Sequence, residues 1–171
     1  MHQWYNVSNK QIFDFGGKLL LTQNENSLFK ILSVIYSDYN WLPWKFDSCP
    51  ETFWNDIENQ KWFMTNAIKE LNINKWSDWY SVSNKDFTEI GGKILIKQYN
   101  NSMFQLLSKF YPENEWLPWR FESCPQSYWH SVENQRKFVD WAGRELQIKS
   151  MNDWYKVSNK VKKYIVAMVT V

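Results

Sequence analysis

The sequence predicts an all-α fold: a tandem repeat of two small helical units, each with about four short helices joined by Pro/Trp-rich connectors, followed by the start of a third unit. Three observations predict it. The chain repeats itself at an offset of 75 residues without a gap, apolar residues recur at helical spacing, and glycine and proline fall between the apolar segments or at their ends. No stretch alternates apolar and polar residues as a half-buried strand would.

The repeat covers most of the 171 residues. Residues 4–78 (repeat 1) and 79–153 (repeat 2) are identical at 35 of 75 aligned positions, and nine of the twelve tryptophans lie on shared positions. A period of this length indicates an array of supersecondary units. We therefore predict helical repeat unit 1 over residues 1–78, helical repeat unit 2 over residues 79–153, and a partial third unit with an aberrant tail over residues 154–171.

The third copy departs from the pattern after Lys160. Continuation of the repeat requires a glycine pair at 166–167, but Val166 and Ala167 stand there, and the chain then ends in a β-prone apolar run. A run of this kind pairs readily with another chain when it has no partner of its own. The sequence therefore predicts a truncated or partial copy of a longer array.

Each repeat predicts four helices in order. Ser8 or Ser83 caps a short first helix that ends or bends at the glycine pair, and a second short helix runs through KLLLTQ or KILIKQY. The third helix follows Ser27 or Ser102. Its apolar residues recur at i, i+3, i+4 and i+7: Leu28, Ile31, Leu32 and Ile35 in repeat 1, and Met103, Leu106, Leu107 and Phe110 in repeat 2. The fourth helix is the longest, at roughly 132–147 in repeat 2.

The phrases WLPWKF and WLPWRF form connectors between the third and fourth helices. Pro43 and Pro118 are expected to exclude helix at their own positions and to hold the preceding leucine in extended geometry. The connector rings are then buried only if the segment folds back over the helices as an aromatic clasp. Lys45 and Arg120, between Trp and Phe, are predicted to lie on a ring face by cation–π contact.

Composition excludes several function classes. A net charge of +2, from 20 Lys and Arg against 18 Asp and Glu, gives no strong field for nucleic acid or for an anionic membrane. No stretch reaches 18 apolar residues and no apolar signal segment opens the chain, so the sequence predicts no membrane partner and an intracellular location, nuclear or cytoplasmic. Cys49 and Cys124 stand alone at matching positions, which predicts free buried thiols in a reducing compartment.

No catalytic site is predicted. His2 and His130 do not recur between the repeats, and the chain has no nucleophile elbow, phosphate-binding glycine loop or CxxC pair. Shared carboxylates stand near shared cations at helical spacing, as Glu58 does to Lys61, which is typical of solvated ion pairs; Glu133 and Arg136 are the matching pair. The sequence therefore predicts a non-enzymatic chain with no catalytic residues, no metal ligands and no small-molecule cofactor.

A binding module remains, and basic residues recur at positions that suit phosphate contacts near helix termini. Lysine at 10, 85 and 160 is the only charge present in all three copies. The candidate nucleic-acid-binding residues, for DNA or RNA, are Lys10, Lys18, Lys45, Lys61, Lys85, Lys93, Arg120, Arg136 and Lys160. The sequence therefore predicts a nucleic-acid-binding, foremost DNA-binding, repeat as the function, with a protein–protein interaction or purely structural repeat as the alternative. Convergence of these cations on one face would distinguish the two. The clasp rings offer a stacking platform for single strands only if they are not part of the core.

The stretches KLLLTQNENSLFKILSVIY and KILIKQYNNSMFQLLSKFY resemble the small helical repeats attached to homing endonucleases. In those repeats a helix is followed by an aromatic residue, a Gly-Ser or Asn-Ser turn and a second helix. The match covers about twenty residues of each repeat, uses Asn-Ser where the family usually has Gly-Ser, and leaves the Trp-rich half without a counterpart. The resemblance implies a DNA-binding accessory of a larger protein. It would place these residues nearest the DNA backbone: Lys18, Asn26, Ser27, Lys93, Asn101 and Ser102.

Overall fold

The computed structural model describes residues 1–47 and 49–157 of the chain, and in this part all regular structure is helical, with no strand. The predicted all-α class is confirmed. The α-helices are α1 (Asn9–Asp14), α2 (Lys18–Gln23), α3 (Leu28–Ile35), α4 (Ile57–Glu70), α5 (Asn84–Phe87), α6 (Lys93–Gln98), α7 (Met103–Phe110), α8 (Val132–Glu145) and α9 (Asp153–Lys156). Single 3₁₀ segments occupy His2–Asn6, Pro43–Lys45, Glu51–Asn55, Trp76–Ser81, Pro118–Arg120 and Gln126–His130, and a π turn occupies Thr88–Gly92.

Elements recur at the spacing of the sequence repeat. Helices α2 and α6 begin and end 75 residues apart, and the same holds for α3 and α7, for α4 and α8, and for the PWK and PWR turns. The first helix differs, because α5 runs into the π turn whereas α1 ends at Asp14. Matching local sequence therefore folds into matching local structure over most of each repeat.

Serine side chains begin the predicted helices. Ser8 Oγ accepts the backbone N–H of Gln11 in a capping box. Ser27 Oγ accepts the N–H of Lys30, and Ser102 Oγ accepts that of Gln105, each at 3.3 Å. Both Ser27 and Ser102 are buried, so these bonds satisfy donors that water does not reach. The predicted caps of α1, α3 and α7 are confirmed.

The connector rings form the core, as the clasp interpretation predicts. In repeat 1, Trp41 and Phe46 pack with Leu28 and Leu32 of α3 in one buried cluster. The remaining clasp rings, Trp44, Trp116, Trp119 and Phe121, are also buried. Their faces are covered by other side chains, so bases cannot stack on them without unfolding the connector.

The prediction that Pro43 and Pro118 exclude helix at their own positions is wrong. Each is the first residue of a 3₁₀ turn. Proline fits there because the first helical N–H has no partner within the helix and the fixed φ of proline suits the turn. The predicted extended geometry of the preceding residue is present, with φ/ψ of −102°/105° at Leu42 and −99°/100° at Leu117.

The chain divides into two compact units. Unit 1 comprises Met1–Asn72 together with Asp86–Leu95, and unit 2 comprises Ile73–Lys85 together with the described residues 96–157. The limits of these units near residues 72, 85 and 95 differ from the boundary predicted after residue 78, and the boundary predicted after residue 153 stays a prediction. Ten residues of repeat 2 complete the unit built from repeat 1.

The π turn shows why these ten residues belong to unit 1. The turn packs against both the PWK turn and α4. Gly91 has φ +101°, and a Cβ placed on it would lie 2.8 Å from the carbonyl oxygen of Trp44 and 2.9 Å from Cδ1 of the same residue. Phe87, which is fully buried, packs edge-on against Phe63 with ring centroids 5.4 Å apart. Glycine at position 91 thus permits a close approach that a side chain would prevent.

Candidate functional site

Carboxylates neutralise several of the predicted basic residues. Lys45 is ion-paired with Glu70, and Lys61 with Glu58 at 2.8 Å. The Lys61 pair is the one that the sequence predicts. A cation held by a carboxylate has less attraction left for a phosphate, because the two charges screen each other.

The predicted pair between Arg136 and Glu133 is wrong. Arg136 lies 3.8 Å from Asp140 instead, and Glu133 pairs with Lys137 at 3.0 Å. Both observed pairs have i,i+4 spacing, which places the partners above one another on the same side of α8.

Two other predicted cations lie over aromatic rings. The Arg120 guanidinium is 4.3 Å from the ring centroid of Tyr80, and Lys18 Nζ is 5.5 Å from that of Phe13. The cation–π contact predicted for Arg120 is confirmed. The one predicted for Lys45 is wrong, because its ammonium is engaged by Glu70.

The remaining predicted cations lie near helix starts. Lys10, Lys85 and Lys93 are exposed, in α1, α5 and α6 respectively, and Lys160 lies outside the described residues. The eight described members of the set occupy eight different elements, so no single helix or turn gathers them. The nucleic-acid interface therefore stays a prediction.

A groove of about 310 Å³ opens on unit 2 beside the WLPWRF connector and α8. Five aromatic side chains line it: Phe104, Trp116, Trp119, Tyr128 and Trp141. Its polar lining consists of Glu115, Asn134, Lys137, Asp140 and Arg144. Ligand sites usually combine apolar walls with a few polar groups; this groove exposes almost as much polar as apolar surface, and its volume is at the small end of their range.

The walls of the groove are held by ring contacts around Trp119. Its ring centroid is 5.5 Å from that of Trp141 and 5.3 Å from that of Phe138, and Tyr128 lies at 6.3 Å. Asn134 Nδ2 donates to the carbonyl oxygen of Tyr128 at 2.9 Å, which fixes the end of the 3₁₀ segment Gln126–His130 against α8. The aromatic lining is thus part of the packed core.

Two sequence differences between the repeats lie at this groove: Lys137 stands for Trp62, and Trp141 stands for Asn66. Lys137 of α8 occupies the position of Trp62 in α4, and in repeat 1 the Trp62 ring packs edge-on against Trp44 with centroids 4.9 Å apart. In repeat 2 the Lys137 ammonium is directed to Glu133. No indole therefore covers Trp119 from this position. The tryptophan of α8, Trp141, lies one helical turn after Lys137.

The charges around the groove are balanced. Two carboxylates, Glu115 and Asp140, stand with two cations, Lys137 and Arg144. The hydrogen bond and charge of Glu133 raise the pKa of Lys137, and the charge of Glu115 adds to this effect, so Lys137 is cationic near neutral pH. A ligand of mixed charge finds a partner for either sign here, whereas a polyanion meets carboxylates.

The cysteines are free thiols, as predicted, but neither is fully buried. Cys49 and Cys124 are half-buried, and desolvation raises the pKa of each to about 11. Within residues 1–47 and 49–157, no three His, Cys, Asp or Glu side chains are grouped as metal ligands. In the same ranges, no helix has the length and apolar character needed to cross a bilayer.

Comparison with known protein families, with curated proteins and with solved structures finds no match for this chain. Its candidate site is therefore defined by its own geometry. Sequence reasoning missed the groove, although a signal was present: a lysine replaces a tryptophan in an otherwise aromatic repeat, at Lys137 against Trp62.

Proposed function

We propose that the chain is a non-enzymatic repeat module for protein–protein interaction, and that the groove of unit 2 binds a short peptide segment of its partner. The observation that carries the proposal is the opening beside Trp119 where Lys137 stands in place of Trp62. An aromatic surface with a charged rim is the composition found at the anchor points of protein interfaces.

The lining favours a peptide with one apolar or aromatic anchor flanked by charges. A side chain of that size fits a cavity of about 310 Å³, and its apolar area would be buried against the half-buried rings of Tyr128 and Trp141. Charges of both signs beside the anchor then have Arg144 and Glu115 as partners. The charged residues at the rim of the groove would select among peptide sequences, and burial of the apolar anchor would supply most of the binding free energy.

The matched test is to fill the groove. The Lys137→Trp variant introduces the ring that repeat 1 carries at Trp62, and the Val132→Trp variant places the same ring at an exposed position of the same helix that does not line the groove. Peptides selected from a displayed random library against the unaltered chain are expected to bind Lys137→Trp at least about tenfold more weakly, a loss of roughly 1.4 kcal/mol. Their affinity for Val132→Trp is expected to stay the same.

Two results would contradict the peptide site. Selection that enriches no peptide means that the groove is not a recognition site. Peptides that bind Lys137→Trp as tightly as the unaltered chain bind somewhere else. Circular dichroism and thermal unfolding of both variants distinguish a filled groove from a disrupted helix.

Nucleic-acid binding is the second candidate, as an accessory activity within a larger protein. Lys18 and Lys93, exposed first residues of α2 and α6, and Lys10 in the first turn of α1 favour it, because cations at such positions suit phosphate contacts. Gel shifts with mixed-sequence duplex and single strand at two salt concentrations test it. Real phosphate contacts weaken with salt and with charge reversal at Lys10, Lys85 and Lys160. Absent or salt-insensitive binding would leave the peptide site as the only function proposed.

A further inference from the structure

Unit 1 contains a socket for a glycine segment. We call residues 86–95, and their counterparts 11–20 in repeat 1, the glycine segments. In unit 1, Phe63 contacts the first of these segments, and Phe63, the neighbouring ring of Trp54 and the adjacent Met64 are each 1% exposed. Phe87 lies against Phe63, and Gly91 lies against Trp44.

Unit 2 carries the matching surface, which we call the seat: Trp129, Phe138 and Val139. Its two rings keep the arrangement found in unit 1, with centroids 5.4 Å apart for Trp129 and Phe138 against 5.1 Å for Trp54 and Phe63. The exposure differs, however. Trp129 and Phe138 are half-buried, and Val139 is 46% exposed where its counterpart is covered.

The glycine segment of repeat 1 is largely exposed, although Ile12 packs against the core of unit 1, and its first glycine has the same left-handed backbone as Gly91. Gly16 has φ +89°, close to the +101° of Gly91, and a Cβ placed on Gly16 would meet nothing within 4 Å. Leu20 is 44% exposed, whereas its counterpart Leu95 is fully buried in unit 1. Phe15 and Leu19 are 90% and 68% exposed. This segment presents apolar side chains that nothing in unit 1 covers fully.

The chain's own third copy lacks the glycines that this contact uses. Residues 166–167 are Val166 and Ala167, and a Cβ at the Gly91 position would clash with the Trp44 backbone. Gly16 and Gly17 are the only other glycine pair in the sequence. They occur in the order GGKLL, against GGKIL at 91–95, so the side chains that follow the pair also match.

We infer that the chain associates with itself head to tail: residues 11–20 of one copy dock on the seat of a second copy. The contact would repeat, between chains, the packing that Asp86–Leu95 makes inside unit 1. Because the segment and the seat are different surfaces, each contact leaves a free segment on one copy and a free seat on the other. We expect further copies to add at these ends, as they do at heterologous contacts that do not close into a ring. This inference is independent of the peptide groove, since the seat uses Phe138 and Val139, which do not line it.

Two complementary variants test the arrangement. Leu20→Asp places a charge on the glycine segment and leaves the seat intact, whereas Val139→Asp does the reverse. Sedimentation of the unaltered 20.8 kDa chain is expected to show a mass that rises with concentration beyond that of a dimer. Each variant alone is expected to associate at least about tenfold more weakly, because an unpaired carboxylate would be buried in the contact.

An equimolar mixture of the two variants is expected to form a 1:1 complex and nothing larger, since the intact segment of one meets the intact seat of the other. Val34→Asp is the control: Val34 is 77% exposed, its counterpart is Lys109, and association should be unchanged. Leu19→Asp replaces Leu20→Asp if circular dichroism shows that the latter is unfolded. An unaltered chain that stays monomeric overturns the inference, and so does a mixture without the 1:1 complex.

Discussion

At the scale of single residues, one tyrosine hydroxyl supports each connector. The backbone N–H of Leu42 donates to the Tyr5 hydroxyl at 3.1 Å, and that of Leu117 donates to the Tyr80 hydroxyl at 3.0 Å. Each bond joins positions 37 residues apart, and it satisfies a donor at the start of a turn that has no helical partner for it. The tyrosine of the Trp-Tyr pair is therefore a structural residue. In repeat 2, the Arg120 guanidinium also lies over the ring of this tyrosine, Tyr80.

Removing this hydroxyl should weaken the connector. Tyr80→Phe keeps the ring under Arg120 and leaves the N–H of Leu117 without its acceptor, so the free energy of unfolding should fall by about 1–2 kcal/mol. Tyr155→Phe, at a side chain that is 86% exposed, should change it by less than about 0.5 kcal/mol. Urea unfolding measures both. Equal stability of the Tyr80→Phe and unaltered chains would show that the Leu117 bond contributes nothing.

The two thiols should be unreactive in the folded chain. Desolvation raises the pKa of Cys49 and Cys124 from 9.0 to about 11, so at pH 8 the folded thiolate fraction is about 100-fold below that of the unfolded chain. Iodoacetamide labelling followed by mass spectrometry, with and without denaturant, should show a rate ratio of that order.

The same pKa shift makes stability depend on pH. The folded pKa lies above the unfolded one, so the stabilisation is complete below about pH 9 and is lost as the pH rises toward 11. Equal labelling rates in the folded and unfolded chains at pH 8 would contradict the burial of the thiols.

At the scale of elements, the glycine turn that follows the first helix of each repeat combines a special backbone conformation with, in one repeat, close tertiary packing. Gly16 and Gly91 both adopt left-handed backbone geometry after the first helix of a repeat. Only Gly91 is pressed against another segment, the backbone of Trp44. The two positions therefore separate the effect of backbone conformation from that of close packing.

Substituting each glycine by alanine should measure the difference. Gly16→Ala should lower the free energy of unfolding by about 1–2 kcal/mol, because alanine is strained in the left-handed backbone conformation. Gly91→Ala has the same strain and also a Cβ within 3 Å of Trp44, so it should lose at least about 1 kcal/mol more. Unfolding at low chain concentration, where association does not contribute, compares them. If the two variants are equally stable, the packing of the π turn on the PWK turn is not as described.

The elements themselves were largely predictable from local signals. Serine caps and apolar spacing placed α3, α7 and α8 within two residues of their ends, because these signals act over neighbouring turns. The 3₁₀ turns at Pro43 and Pro118 were missed, since proline forbids an interior helical position but suits a first one. Ion pairs on α8 were assigned with the wrong partners because several i+3 and i+4 choices compete there.

At the scale of the whole molecule, the groove and the limits of the two units depend on contacts between residues distant in sequence, which residue spacing does not predict. The groove lies where Lys137 and Trp141 stand for Trp62 and Asn66, and it is formed only because the connector lies beside α8. The assignment of Asp86–Leu95 to unit 1 depends on a contact between Phe87 and Phe63 that no local pattern reveals. Matching positions are buried alike in α3 and α7, and they differ at Trp129, Phe138 and Val139, where unit 1 has its glycine segment.

Native-state hydrogen exchange on the Phe87→Ala variant tests most directly whether residues 86–95 complete the unit built from repeat 1. Phe87 follows α4 by more than a dozen residues in sequence but fills its core, so truncation should cost about 3–5 kcal/mol there. The amides of α4, Ile57–Glu70, are expected to exchange faster while those of α8, Val132–Glu145, keep their protection. Faster exchange in α8 with α4 unchanged would contradict the claim that the glycine segment of repeat 2 completes the unit built from repeat 1.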